Sequence, residues 1–192
     1  MGHRRVVGID LAGHEKRPTG WAYLRGPYLA VTTLHTDDEI IRRIRRLKPD
    51  LIAIDAPLNL PRKGSALREA DIEMRKRGYP VLPPLFPGMR SLTYRAIRLN
   101  ERFKAKNLRV IEVHPESTRK ALDLPKRRDL LVRAFGVMGL VIKKPGPEKL
   151  TPHEVDAILA ALTALLRLRR RTEAIGHRIT VPKRLSWIHI HV

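Results

Sequence analysis

Three short β-branched runs in this chain each carry an acid at or near their end. They are RVVGIDL (Arg5 to Leu11), LIAIDAP (Leu51 to Pro57) and LRVIEVHP (Leu108 to Pro115). Runs this short and this apolar read as buried strands, and such strands belong to sheets covered by helices. WAYLR (Trp21 to Arg25) and YLAVTTL (Tyr28 to Leu34) follow the first run across the turn residues AGHEKRPTG and Gly26-Pro27, which predicts an antiparallel meander. Asp37 to Leu47 sets Ile40, Ile41, Ile44 and Leu47 at helical spacing, with Arg42, Arg43, Arg45 and Arg46 on the far side. A helical crossover makes the fourth strand parallel to the first. The expected fold is α/β: a five-stranded mixed sheet with strands 1–3 antiparallel, strands 4 and 5 parallel to strand 1, and helices flanking it.

A single domain over 1–192 is expected, because this length builds one substantial core and is short for two. Residues 58–107 read as an insertion. It holds a helix from Ser65 to Arg77, the proline-rich YPVLPPLFPG, and a helix from Met89 to about Lys104. A short helix near Asp129 to Phe135 and the KKPGPEK loop come next. A helix from Pro152 to about Arg171 follows, and a closing hairpin within 175–192 would pair Ile179–Val181 with Trp187–Val192.

The helix HEVDAILAALTALLRL is nearly all apolar, yet ionisable groups stand on its first turns. Thr151 is a natural N-cap, Pro152 suits the first helical position, and Glu154 completes a capping box. Glu154 therefore serves the helix end. His153 and Asp156 are three apart and share a face that runs on through Ala160 and Thr163, while Leu159, Leu162 and Leu166 look to the core.

Charge sets the partner class. Thirty-nine Lys and Arg against nineteen Asp and Glu leave +20, spread along the whole chain, and such a field favours polyanions, nucleic acid first. A merely solvated basic surface is the bland alternative. No apolar run reaches the roughly 18 residues of a membrane span, and MGHRRVVGID lacks a signal-peptide pattern, so no membrane contact and a cytoplasmic location are expected. With no cysteine, disulfides and thiolate metal sites are excluded. Aromatic residues make up only 5%, which argues against a stacking-based single-strand binder, and Trp21 and Tyr23 read as core.

Asp10 and Asp55 end parallel strands and Glu112 lies in the third, at the sheet edge where ligands gather in open α/β folds. Asp156 can reach them from the packed helix. Four carboxylates together need a cation, and hard oxygen donors without thiolate point to Mg²⁺ or Mn²⁺. Such a site hydrolyses phosphodiesters without a Ser or Cys nucleophile. The alternative is that the acids are structural, paired with arginines or with backbone turns. His153 stays open between a ligand, a proton shuttle and a water-facing helix-end residue, and His114 reads as an ordinary strand-end histidine. Arg68, Arg75, Arg95, Arg98 and Arg102 are the candidate nucleic-acid groove, although helical arginine stripes are often only solvated faces.

The motifs GIDLAG with TGWA, AIDAPLNLP, VIEVHPES and HEVDAILAALTA, spanning Gly8 to Ala164, carry a resemblance. The chain looks like a ribonuclease H-like domain and, more narrowly, resembles the predicted-nuclease family catalogued as domain of unknown function 429. The His153–Asp156 spacing is similar to the closing motif of RuvC-type resolvases. The resemblance implies a five-stranded mixed sheet and a divalent-metal cluster at Asp10, Asp55, Glu112 and Asp156, with His153 beside them. The leading expectation is a metal-dependent nuclease acting on DNA or RNA, and a junction substrate would require a homodimer. Two others stand beside it: a non-catalytic basic nucleic-acid binder, and an actin-like phosphotransferase, which needs two domains where this chain has one.

Overall fold

A computed structural model describes residues 3–142, 146–184, 187 and 190. The strands are β1 (Arg5–Asp10), β2 (Thr19–Arg25), β3 (Tyr28–Leu34), β4 (Leu51–Asp55), β5 (Val110–Val113), β6 (Val141–Ile142), β7 (Thr172–Ile175) and β8 (Ile179–Pro182). The helices are α1 (Asp37–Leu47), α2 (Glu69–Lys76), α3 (Pro87–Lys104), α4 (Pro115–Ala121), α5 (Arg128–Val137) and α6 (Pro152–Leu168).

The strands form one mixed sheet in the order β6-β3-β2-β1-β4-β5-β8-β7. Its centre is the expected five strands, with β1 antiparallel to β2 and parallel to β4, and β4 parallel to β5. The sheet is wider than expected by three short strands. β6 adds two residues beyond β3, and the β7–β8 hairpin docks on β5 through β8. The hairpin among the described residues pairs Ile179–Pro182 with Thr172–Ile175. Of the predicted partner strand only Trp187 and Ile190 lie within the described residues.

Alternation along the strands builds two cores. Val6, Leu51, Ala53 and Val113 face α6, α4 and α5, whereas Val7, Ile9, Ile52 and Ile54 face α1 and α3. The helix α6 runs across β1, β2 and β4 and is buried nearly all round from Val155 to Leu166, not along one stripe. Two glycines admit it. A Cβ on Gly8 would strike the Ala157 carbonyl and the Ala161 backbone, and one on Gly20 would strike the His153 carbonyl. The capping box at Thr151 and Glu154 is formed, with Glu154 Oε2 accepting from the Thr151 N–H at 2.8 Å. Trp21 is buried as core. Among the described residues no helix is long and apolar enough to cross a membrane.

Candidate active site at the sheet edge

Asp10 and Asp55 are partners in the β1–β4 register, each on the last residue of its strand. By alternation they share the α6 side with Gly8 and Ala53. Asp10 also pairs with Gly20, the residue over which the first turn of α6 passes. That close approach sets the His153 ring against Asp10, with Nδ1 to Oδ2 at 2.7 Å, the length of a charge-assisted hydrogen bond. The His153 side chain stays half exposed while Asp10 is largely covered.

The electrostatics identify the cluster. Burial raises the Asp10 carboxyl, and His153 opposes that rise through its hydrogen bond and charge. Burial lifts Asp55 well above the usual carboxylate range, and Asp10, Asp156 and Glu112 add repulsion. Asp156 is pushed up to about 6, by burial first and then by Asp10, with His153 opposing and Glu116 adding to the rise. Among the described residues no lysine or arginine forms an ion pair with any of these three carboxyls, and the contact they do have is that of Asp10 with His153.

Glu112 lines one cavity with Asp10 and Asp55, as expected, but is held differently from them. Its register partner is Ile54, which faces α1 and α3, so Glu112 lies on the opposite side of the sheet from Asp10 and Asp55. Both of its oxygens are occupied. Arg68 donates to Oε2 from Nη1 at 2.8 Å and to Oε1 from Nη2 at 2.6 Å, and the Leu58 N–H donates to Oε2 at 2.9 Å. The remaining Arg68 donors go to Asp71 and to Asn59. The cluster facing α6 is therefore Asp10, Asp55, Asp156 and His153, with Glu112 clamped behind it. Among the described residues no group of three or more His, Asp or Glu side chains is placed ready to hold a metal ion.

The predicted arginine groove does not form. Arg68 is buried in the Glu112–Asp71 clamp. Arg95 is 2% exposed and donates to Asp37, the Ala12 carbonyl and the His35 carbonyl, tying α3 to α1 and β1. Arg75 holds the Val81 carbonyl, Arg98 is exposed on α3, and Arg102 reaches Asp38 at 3.6 Å in solvent. Cations come instead from a segment that sequence reasoning did not single out. Lys126 and Arg128, in PKRRD at the start of α5, line a cavity of about 430 Å³ together with Asp55, Asp156 and His114. The one signal for them was a dense basic run after a helix end. His114 caps α4, its Nδ1 accepting from the Ser117 N–H at 3.2 Å, which leaves Nε2 as the ring's donor, and burial lowers its pKa.

A mixed sheet centred on 3-2-1-4-5, closed by a helix over β1 and carrying acids at the ends of β1 and β4, is the ribonuclease H-like architecture. Among solved structures, RuvC of Thermus thermophilus in complex with a Holliday junction substrate matches with a TM-score of 0.53 at 15% identity, covering 88% of this chain and 96% of that one. A second Thermus thermophilus RuvC structure matches with a TM-score of 0.49 at 16% identity, covering 86% and 96%. No curated protein matches in sequence. The chain belongs to the family described as protein of unknown function, DUF429, whose model matches residues 8–183.

Proposed function

We propose that this protein is a divalent-metal-dependent nuclease that hydrolyses phosphodiester bonds in DNA or RNA. The observation carrying this reading is the Asp10–Asp55–Asp156 cluster, three carboxyls raised first by burial, with Asp10 adding repulsion on Asp55 and Asp156, where α6 meets the carboxyl ends of β1 and β4. Groups tuned in this way are a mark of functional sites. Their donor chemistry, all oxygen with no thiolate in the chain, fits Mg²⁺ or Mn²⁺. Asp10, Asp55 and Asp156 would hold the cation, while Glu112 adds negative potential from behind the sheet. When bound, the cation supplies charge neutralisation and polarises the phosphodiester. His153 orients Asp10 through Nδ1 and leaves Nε2 to take or give a proton beside the reacting phosphate. The fold likeness to a junction-bound RuvC supports DNA as a partner, with a homodimer expected for paired cuts.

The test is a cleavage panel of single strand, duplex, RNA–DNA hybrid and four-way junction, each with Mg²⁺, Mn²⁺ or EDTA. Cation-dependent products that disappear in Asp10→Asn are expected. Equal cleavage by Asp10→Asn would refute the mechanism. One observation favours a second reading, non-catalytic binding: the carboxyls are not pre-arranged as a cage and Asp10 already has His153 as a partner. Nucleic-acid retention without cuts in the same panel selects it.

A further inference from the structure

Two cavities meet at the sheet edge, sharing Asp55 and His114, and they differ in chemistry. On the α4–α5 side, the cavity of about 430 Å³ carries Arg119, Lys126 and Arg128. Arg119 is held by Glu116 through two hydrogen bonds, but Lys126 and Arg128 are exposed and unpaired with any carboxylate among the described residues. On the α3 side, the cavity is about 270 Å³. Its polar lining is Asp10, Asp55, His114 and the mutually paired Arg68, Asp71 and Glu112, and its apolar wall includes Pro57, Pro80, Leu82, Met89 and Leu92. Leu82 is 55% exposed, an apolar lip that no neighbour covers.

An anionic backbone has one side on which to sit, the side with free cations. On the other side the cation lining the cavity, Arg68, has its donors taken by Asp71, Asn59 and Glu112. Pockets for drug-sized ligands run from about 300 to 1,000 Å³, so this smaller apolar space suits one planar ring system. A base inside a duplex cannot enter it without leaving the stack, and that cost is least for a base already unpaired. Met89 adds a polarisable thioether of the kind that packs well on ring faces and edges.

We propose that the cleft takes a strand with one unpaired nucleotide beside the scissile bond, its phosphates against Lys126 and Arg128 and its base in the cavity lined by Leu82 and Met89. This assignment rests on the nuclease reading for its meaning, but its test needs no cleavage. The full-length protein is titrated in EDTA, by fluorescence anisotropy, with a continuous DNA duplex and with the same duplex carrying a one-nucleotide bulge. A 2-aminopurine at the bulge reports capture of the base.

The bulged duplex is expected to bind about tenfold tighter, the discrimination that a few apolar contacts supply. Leu82→Asn and, separately, Met89→Gln should erase most of that preference and the 2-aminopurine signal, leaving duplex affinity and melting temperature unchanged. Lys126→Gln with Arg128→Gln should weaken both duplexes equally and lower the salt slope by about 1.8, for two lost phosphate contacts. No binding in EDTA, equal binding of the two duplexes by the wild type, or a preference untouched by both apolar variants overturns the assignment. If the preference appears as stated while Mg²⁺ and Mn²⁺ give no cleavage, the nuclease reading fails and the cleft assignment stands. Cleavage without a bulge preference overturns the cleft assignment and leaves the nuclease reading in place.

Discussion

At the residue scale, the cluster sits in a fold that would be more stable without it. Asp156 is raised to about 6 from its usual value near 3.8. A carboxyl raised in the fold binds its proton more tightly there than in the unfolded chain, so stability falls as pH climbs between those values. Asp10 and Asp55 shift in the same direction and add to that fall. Asp156→Asn is therefore expected to stabilise the protein at pH 7 in EDTA by on the order of 1–2 kcal/mol, allowing for solvent screening. At pH 4 the gain should vanish. Thermal melts at the two pH values decide it, and an equal gain at both would sink the explanation. The clamp behind the sheet behaves in the opposite way. Arg68→Met leaves Glu112 and Asp71 buried without their counter-charge, and a loss of about 3–5 kcal/mol is expected in denaturant unfolding. A change within about 1 kcal/mol would show that the clamp contributes little. Parity explains why Glu112 is held apart from the other acids. In VIEV the acid alternates with Ile111 and Val113, and only the β4–β5 register, pairing it with Ile54, fixes which face it takes.

At the scale of elements, α6 creates the site by lying directly on the sheet. Gly20→Ala would drive a Cβ into the His153 carbonyl and push the first turn of α6 away from Asp10. A destabilisation of about 1–3 kcal/mol is expected, with loss of the His153–Asp10 contact, read by thermal melts and by changed NMR chemical shifts of the His153 ring. Gly136→Ala, with nothing within 4 Å of its added Cβ inside α5, is the control and should stabilise by about 0.5–1 kcal/mol. Equal effects at both positions would remove close packing as the cause. This dependence also marks what could be read from the chain and what could not. The central five strands, α1, α3 and the capped start of α6 announce themselves by periodicity and cap residues. PESTRKA forms α4 with little apolar periodicity, held by the His114 cap and by Thr118 against Thr163 at 2.7 Å. TEAI becomes β7 by pairing with β8, a tertiary partner its own pattern does not reveal. Arg68 and Arg95 look like surface cations until partners 44 and 58 residues away bury them.

At the scale of the whole molecule, a net charge of +20 surrounds one anionic cluster. The two features draw different ligands. The surface draws a polyanion, weakened steeply by salt. The cluster draws a small cation, which offsets both the burial that chiefly lifts Asp55 and Asp156 and the carboxylate repulsion added to it. A ligand that binds the folded state alone at ten times its dissociation constant stabilises by about 1.4 kcal/mol. For a chain of this size each kcal/mol moves the midpoint by about 2–4 °C. Adding saturating Mg²⁺ to the EDTA-treated protein, at constant ionic strength, should therefore raise the melting temperature by about 3–6 °C. Asp55→Asn should melt higher than the wild type in EDTA and respond little to Mg²⁺, because the charge that the cation relieves is gone. Such a pairing of higher intrinsic stability with a lost cation response is the signature of a site held under repulsion for binding. If Asp55→Asn gains as much from Mg²⁺ as the wild type does, the cation acts elsewhere and the carboxyl cluster is architecture.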